Sequence, residues 1–486
     1  MNKNISDLLP VFWKSALLFL LVYLYMGLRL APFGDEAWDW FMVDKSVYIA
    51  AGRPGLAAYL TLAAGHGVPY AYCIATAAFF ALAVCLQISL LKVESQVARF
   101  SFAALQVAVV QYSYTMIDSF LADAVMLGVA ISSLSFWLVS RGNTQWFHVL
   151  GAVLCAAAAA SVYQLILLVI PVLYLAYALR TMGERNVREH LRLGFKTAGV
   201  CIAAVALYHG VRVACMGLAA EGVAESVAQY QNSLVTWGQL DIVTHVLHIG
   251  KQWCMHLVGA AYPGECLYAT TLIPVLLYSA IIVRDAGRAG LEKLFYLALP
   301  VAIYVLPFLP IAALGEDQGA RLFLAEPLAC ASLWTLLIMK KGWLLKPAQS
   351  VAACVLVSLF VLKACYTVSD IAFYQYRIFR ENQTEYWELK NRIAQVENKA
   401  GFATGTVPVV FSGHWQSELR KADKYNSCII NPSDVFFYSF IGDRQVKGTA
   451  SSSTPGKELN EKLNTMPTWP DPGSTVYHNG EIIVKF

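Results

Sequence analysis

Charged side chains are scarce in this chain. Asp, Glu, Lys and Arg make up 14% of its 486 residues, against about 25% in soluble globular proteins. A soluble fold of this length has no reason to be so poor in charge. Phosphate-cradling loops are missing as well. There is no Walker motif and no Gly-x-Gly-x-x-Gly opening a helix, which argues against an ATP-driven pump. His-Glu-x-x-His, zinc-type Cys/His spacing and a basic stripe are also absent, so neither a zinc enzyme nor a nucleic-acid binder is supported. No repeat of fixed period is visible. Cysteine is present but says little about redox. Most of the eleven sit inside apolar runs, where a thiol behaves as a small hydrophobe. Cys254, Cys266 and Cys428 can face water, and a Cys254–Cys266 disulfide is conceivable.

What the chain has in quantity is apolar length: 58% of its residues are hydrophobic. Runs of roughly 18 or more such residues, enough to cross a bilayer as helix, recur through the first three quarters. About eleven spans are expected, near 11–30, 70–91, 100–117, 119–140, 147–163, 165–180, 197–216, 267–283, 294–314, 322–339 and 348–366. The pattern predicts a polytopic α-helical membrane domain over 1–366 and a small, water-exposed C-terminal α+β domain over 367–486. Long outer loops are expected near 31–69 and 217–266. Tight turns are expected at Asp118 and at Tyr163-Gln164. The first span lacks a small-x-small cleavage site and reads as an uncleaved anchor.

Orientation follows from Lys and Arg, which accumulate in cytoplasmic loops. One alternating set of loops and span ends, including 180–196, 284–293 and 340–346, holds 16 of them; the other holds 6. The first set is therefore assigned to the cytoplasm. That places the N-terminus inside and the C-terminal domain outside. In the second long loop, stretches such as Val223–Leu234 suit helices lying on the membrane surface. The C-terminal domain should open with a helix from about Ser369 to Lys399. Strands Val407–Phe411 and Asp434–Ile441 should follow, and then a hairpin turning at Asn479-Gly480.

Three acidic clusters carry the candidate chemistry. Phe33-Gly34-Asp35-Glu36 follows the first span and leads to Gly52-Arg53-Pro54. Carboxylates at a membrane interface are costly unless hydrated, paired or useful. One of Asp35 and Glu36 suits a general base that deprotonates an acceptor hydroxyl; the bland alternative is a helix cap. In the second cluster Asp118 sits at a hairpin turn, and Asp123 lies further into an apolar span. An acid inside a span faces the bundle or a wet cavity by default. The third is Gly315-Glu316-Asp317-Gln318-Gly319-Ala320-Arg321. Arg321 is a cation where few are expected, and its planar fork suits a phosphate; a local salt bridge to Glu316 or Asp317 is the alternative. Tyr163 and Gln164 can hydrogen-bond a sugar or anchor the interface.

This order of motifs resembles a known family. An acidic pair follows span one, then Gly52-Arg53-Pro54, Asp118-Ser119-Phe120 at a hairpin, Tyr163-Gln164 before another span, an Arg-bearing outer loop, and Met466-Pro467 ahead of a final hairpin. It resembles the multi-span glucosyltransferases that modify lipopolysaccharide O-antigen in enteric bacteria, many of them encoded by serotype-converting bacteriophages. That family in turn resembles membrane-embedded glycosyltransferases of the GT-C fold. The resemblance implies an inner-membrane enzyme that moves a sugar, glucose by family, from an undecaprenyl-phosphate carrier to an O-antigen acceptor at the periplasmic face, by inverting displacement. It implies catalytic roles for Asp35 or Glu36 and for Asp118. Arg53, Arg321, Tyr163, Gln164 and Asp123 would hold the donor phosphate and sugar. No metal and no cofactor is expected. A flippase for lipid-linked sugars and an O-antigen polymerase are the rival readings. The outer acids and the C-terminal domain fit a flippase poorly, and no inverted repeat is visible.

Overall fold

The computed structural model describes residues 5–28, 46–62, 69–116, 119–141, 145–217, 232, 235–239, 241–262, 265–285, 290–317, 319, 322–339, 347–412, 446–448 and 457–485. The chain is mostly helical and divides into two compact units, with the division after Asp370.

In the first unit the helices are α1 (Ile5–Leu28), α2 (Ser46–Ala50), α3 (Pro54–Leu62), α4 (Pro69–Leu90), α5 (Gln96–Ala108), α6 (Gln111–Met116), α7 (Ser119–Ser140) and α8 (Trp146–Val162). A 3-10 turn at Gln164–Leu168 leads to α9 (Val169–Arg180) and α10 (Val187–Met216). Then come α11 (Ile242–Leu257), α12 (Cys266–Ala269), α13 (Leu272–Arg284), α14 (Gly290–Val305), α15 (Leu309–Leu314) and α16 (Glu326–Met339). The last helix, α17 (Pro347–Lys399), carries the chain into the second unit.

Seven helical segments among the described residues are long and apolar enough to cross a membrane: Asp7–Met26, Ala71–Leu90, Leu121–Ser140, Val187–Met216, Cys266–Arg284, Gly290–Leu314 and Cys354–Tyr374. Trp146–Val162, Gln164–Arg180 and Glu326–Met339 are apolar but shorter. Large apolar side chains stay exposed on them, such as Leu17 and Leu21 on α1 and Ile202 and Val213 on α10. Apolar patches of this extent are foreign to a soluble monomer and suit lipid contact. The chain is a membrane protein.

Small residues let the inner helices approach closely. On α8, Ala152, Ala156, Ala159 and Ala160 are fully buried. Polar side chains then join neighbouring helices. Gln106 Nε2 donates to Gln87 Oε1 at 2.8 Å, and Gln87 Nε2 donates to Ser133 Oγ at 3.1 Å. The expected span at 100–117 is two helices, α5 and α6, parted at Val109-Val110. There the buried Tyr23 hydroxyl, from α1, donates to the Val107 carbonyl at 2.9 Å and supports the break. Cys254 and Cys266 are both free thiols, so the conceivable disulfide is absent.

The expected helix at 369–399 is not a separate element. It is the end of α17, which runs unbroken for 53 residues. In the second unit, β1 (Val409–Ser412), β2 (Val446–Gly448), β3 (Thr475–His478) and β4 (Glu481–Lys485) form a sheet of order β2-β1-β4-β3. β1 is parallel to both neighbours, and β3 and β4 form an antiparallel hairpin. Asn479 and Gly480 turn that hairpin with φ of 48° and 86°, the left-handed pair that a type I′ turn requires. Alternation along β4 sends Ile482 and Val484 into a core with Leu389, Ile393 and Trp469. Ile483 packs on the other face against Leu463 and Met466, of which Leu463 belongs to α18 (Lys457–Thr465). The strand expected at Asp434–Ile441 and nearly all of the surface helix expected at Val223–Leu234 lie outside the described residues.

Candidate active site

Gly52-Arg53-Pro54-Gly55 is a shaped entry to α3. Gly52 adopts φ +76°, where a side chain is strained. A Cβ there would meet the Tyr208 hydroxyl at 2.8 Å. The Gly52 carbonyl accepts from Tyr208 Oη at 2.7 Å and from Gln164 Nε2 at 3.0 Å, and Gln164 also donates to Tyr208 Oη at 2.7 Å. Pro54 occupies the first helical turn, where its missing N–H costs nothing. Gly55 lets α3 lie against α8, since a Cβ would collide with Ser161. The result fixes Arg53 with its guanidinium 4.8 Å from the centroid of the Tyr163 ring. Arg53 Nε is buried and has no hydrogen-bond partner among the described residues. A cation on an aromatic face with donor capacity to spare suits an anionic oxygen.

Further along α3, Tyr59 Oη donates to Asp123 Oδ2 at 2.5 Å, and Asp123 is 2% exposed. Burial and then the Asp123 bond push the Tyr59 phenol above its ordinary value, so it remains a donor. Arg53, Tyr163 and Gln164 therefore stand together, and Asp123 is tied to the helix that Arg53 introduces. Gln164 spends its amide nitrogen on holding Gly52 and Tyr208. Asp35, Glu36, Asp118 and Arg321 lie outside the described residues.

Gly52→Ala should destabilise the protein by about 1–3 kcal/mol, the usual cost of a forced left-handed backbone, beyond any effect on activity. Thermal unfolding in detergent measures it. An unchanged midpoint would show that the Gly52–Tyr208–Gln164 clasp tolerates a methyl group.

A second polar constellation, which the sequence does not announce, lies between the C-terminal ends of α11 and α15. His256 Nδ1 pairs with Glu265 Oε1 at 2.5 Å, and His256 Nε2 pairs with Asp317 Oδ2 at 3.1 Å. Tyr262 Oη donates to the same Asp317 oxygen at 2.5 Å. The other Glu265 oxygen accepts the Ala261 and Tyr262 backbone N–H groups, both at 3.2 Å. His256 and Glu265 are buried. Burial opposes a charged imidazole, but the bonds to Asp317 and Glu265 outweigh it and raise His256 to about 9. Asp317 is held below its ordinary value: its bonds to His256 and Tyr262 overcome its own burial. Burial pushes the Glu265 carboxyl up. Both imidazole nitrogens are occupied, so this cluster clamps two loops together rather than presenting a base. Among the described residues no group of three or more His, Cys, Asp or Glu is arranged to hold a metal ion. Glu326, at the start of α16, is fully buried and faces the Gln111 side chain. A carboxyl inside the apolar run 322–339 was the available signal for it.

A search of curated proteins finds no match. Among solved structures, the chain is similar to the apo form of the Archaeoglobus fulgidus oligosaccharyltransferase, with 14% identity and a TM-score of 0.46, covering 94% of this chain and 66% of that one. The same enzyme tethered with an acceptor peptide containing the NVT sequon matches at 12% identity and a TM-score of 0.42, covering 94% and 65%. This chain thus spans slightly under two thirds of the length of those proteins. Likeness at that level fixes neither activity nor substrate. The family match is of another order. The model of glucosyl transferase GtrII matches residues 41–339, a range that holds both the Arg53 clasp and the His256 cluster. Spanning well over half of the sequence, that match shows that the chain belongs to the GtrII family of glucosyl transferases.

Proposed function

We propose that the protein transfers glucose from undecaprenyl phosphate to lipopolysaccharide O-antigen at the periplasmic face of the bacterial inner membrane, within a GT-C-like fold of eleven spans. The N-terminus is cytoplasmic, the membrane domain covers 1–366, and the C-terminal domain, 367–486, is periplasmic. The supporting observation is Arg53, fixed on Tyr163 with unsatisfied donor capacity in a chain of the glucosyl transferase family. A phosphate is already a good leaving group and needs charge neutralisation more than protonation. Arg53, with Arg321, neutralises it. Asp35, or Glu36 beside it, takes the proton from the acceptor hydroxyl, and Asp118 assists. The hydroxyl oxygen bonds to the anomeric carbon as the carbon–oxygen bond to phosphate breaks, so polyprenyl phosphate leaves and the configuration inverts. Asp123, Tyr163 and Gln164 shape the sugar pocket. No metal takes part.

Expression in a bacterium that makes the lipid-linked donor and an unmodified O-antigen tests this reading. Nuclear magnetic resonance of the polysaccharide should show an added glucose with anomeric configuration opposite to the donor's. An unmodified polysaccharide would overturn the transfer, and a retained configuration would overturn the single displacement.

A further inference from the structure

α11 carries an unusual distribution of side chains. The face turned to the protein is mostly polar and aromatic, with His245, Gln252, Trp253 and His256 around a single aliphatic residue, Ile249. Trp253 Nε1 donates to the Phe308 carbonyl at 3.1 Å, and His245 Nε2 donates to the Gly315 carbonyl at 2.9 Å. Just before the helix, Trp237 Nε1 donates to the Ala312 carbonyl at 3.0 Å. One exposed flank is apolar: Ile242, Val243, Val246 and Leu247 are 75%, 68%, 54% and 68% exposed. The other exposed flank is polar, with Thr244, His248 and Lys251. At 100° per residue these are three separate faces, not one amphipathic pair.

The docking position says what covers the apolar flank. The partners of α11, residues 308–315, lie at the C-terminal end of the candidate span Gly290–Leu314. α11 therefore lies beside the last turns of a membrane helix, not beyond them. The next span begins at Cys266, a few residues after α11 ends. Leu309 on α15, the helix packed against α11, is exposed as well. In water, four large aliphatic side chains in a row would be a liability. At a bilayer edge they fit: a helix lying in the interface buries one flank among acyl chains and keeps the other in water.

We infer that α11 is an interfacial helix whose Ile242, Val243, Val246 and Leu247 flank is seated among the phospholipid acyl chains of the leaflet it borders. The helix sets the depth at which the loop bearing Asp317 sits, because the same helix holds that loop through His256. The occupant is bilayer lipid, not a second copy of the chain or a soluble protein.

Site-specific photocrosslinking of the full chain in phosphatidylethanolamine–phosphatidylglycerol nanodiscs tests the inference. p-Benzoylphenylalanine is placed singly at Val246, Leu247, Thr244 and His248, with Leu276 on a span as the internal reference. Mass spectrometry should find lipid adducts at Val246 and Leu247 near the Leu276 level, and about tenfold fewer at Thr244 and His248, as the flanks of an interfacial helix require. Equal labelling at all four helix positions, or adducts to another copy of the chain in place of lipid, would overturn it. So would an absence of lipid adducts at Val246 and Leu247 while Leu276 is labelled. The four helix positions lie within five consecutive residues of one helix, so a general loss of folding would level them and count against the inference.

Discussion

Asp35→Asn is expected to lower sugar transfer by about 10²–10⁴-fold, the usual cost of a missing general base, with insertion and protein level unchanged. The change is nearly isosteric and removes only the ability to accept a proton. Asp35 and Glu36 are adjacent, so on any regular segment their side chains would point in different directions, and on the proposed reading only one of them faces the donor. Asp35 is favoured because it follows Gly34 directly in the sequence after the first span and because an aspartate at this place is what the family resemblance suggests. Glu36→Gln should therefore cost less, acting through the local potential. The measurement is the initial rate of glucose transfer by each variant at saturating donor. Full activity in Asp35→Asn with a dead Glu36→Gln would exchange the two roles. Activity in both singles and in the double variant would move the base to Asp118.

His256→Ala should give the largest loss of stability, about 3–5 kcal/mol, because removing one member of a buried ionic cluster leaves the others uncompensated. Glu265 would keep its two backbone donors but lose the imidazole, and Asp317 would keep Tyr262. Adding Glu265→Gln removes the stranded carboxyl and should restore part of the loss, which a purely steric defect would not do. The pH dependence has a definite sign. His256 is raised to about 9 in the folded protein by the two carboxylates that face it, against about 6.5 in an unfolded chain. Its contribution is complete below about pH 6.5 and fades as pH rises through about 9. The difference in unfolding midpoint between the wild type and His256→Ala should therefore shrink between pH 6.5 and 9.5. A difference that is constant over this range would mean that His256 is neutral and acts through packing against Phe308 and Phe323 alone.

Much of this fold was readable in the sequence because its elements are set by local chemistry. Apolar run length located the long helices, and Asn479-Gly480 located a hairpin turn by its left-handed backbone. Gly52-Arg53-Pro54 was visible as a motif, although its purpose was not: Tyr208 and Gln164 close on Gly52 from 156 and 112 residues away. The break at Val109-Val110 was hidden in an apolar run because the hydroxyl that supports it comes from Tyr23 on another helix. The continuity of α17 is hidden for the opposite reason. Polarity changes near Ser369, but no Gly or Pro follows Pro347 before Lys399, so nothing stops the helix. The His256 cluster was illegible because its members are 9 and 61 residues from the histidine, in loops whose pairing only tertiary structure reveals. From sequence alone Asp317 points to its neighbour Arg321; the structure gives it to His256 instead.

The most direct test of the central claim is transfer by the purified chain alone. Reconstituted in liposomes with undecaprenyl-phospho-glucose and an O-antigen acceptor, the protein should produce glucosylated acceptor and free undecaprenyl phosphate in equal amounts. Donor that merely crosses to the opposite leaflet, with no glucose reaching the acceptor, would contradict the account and identify a flippase.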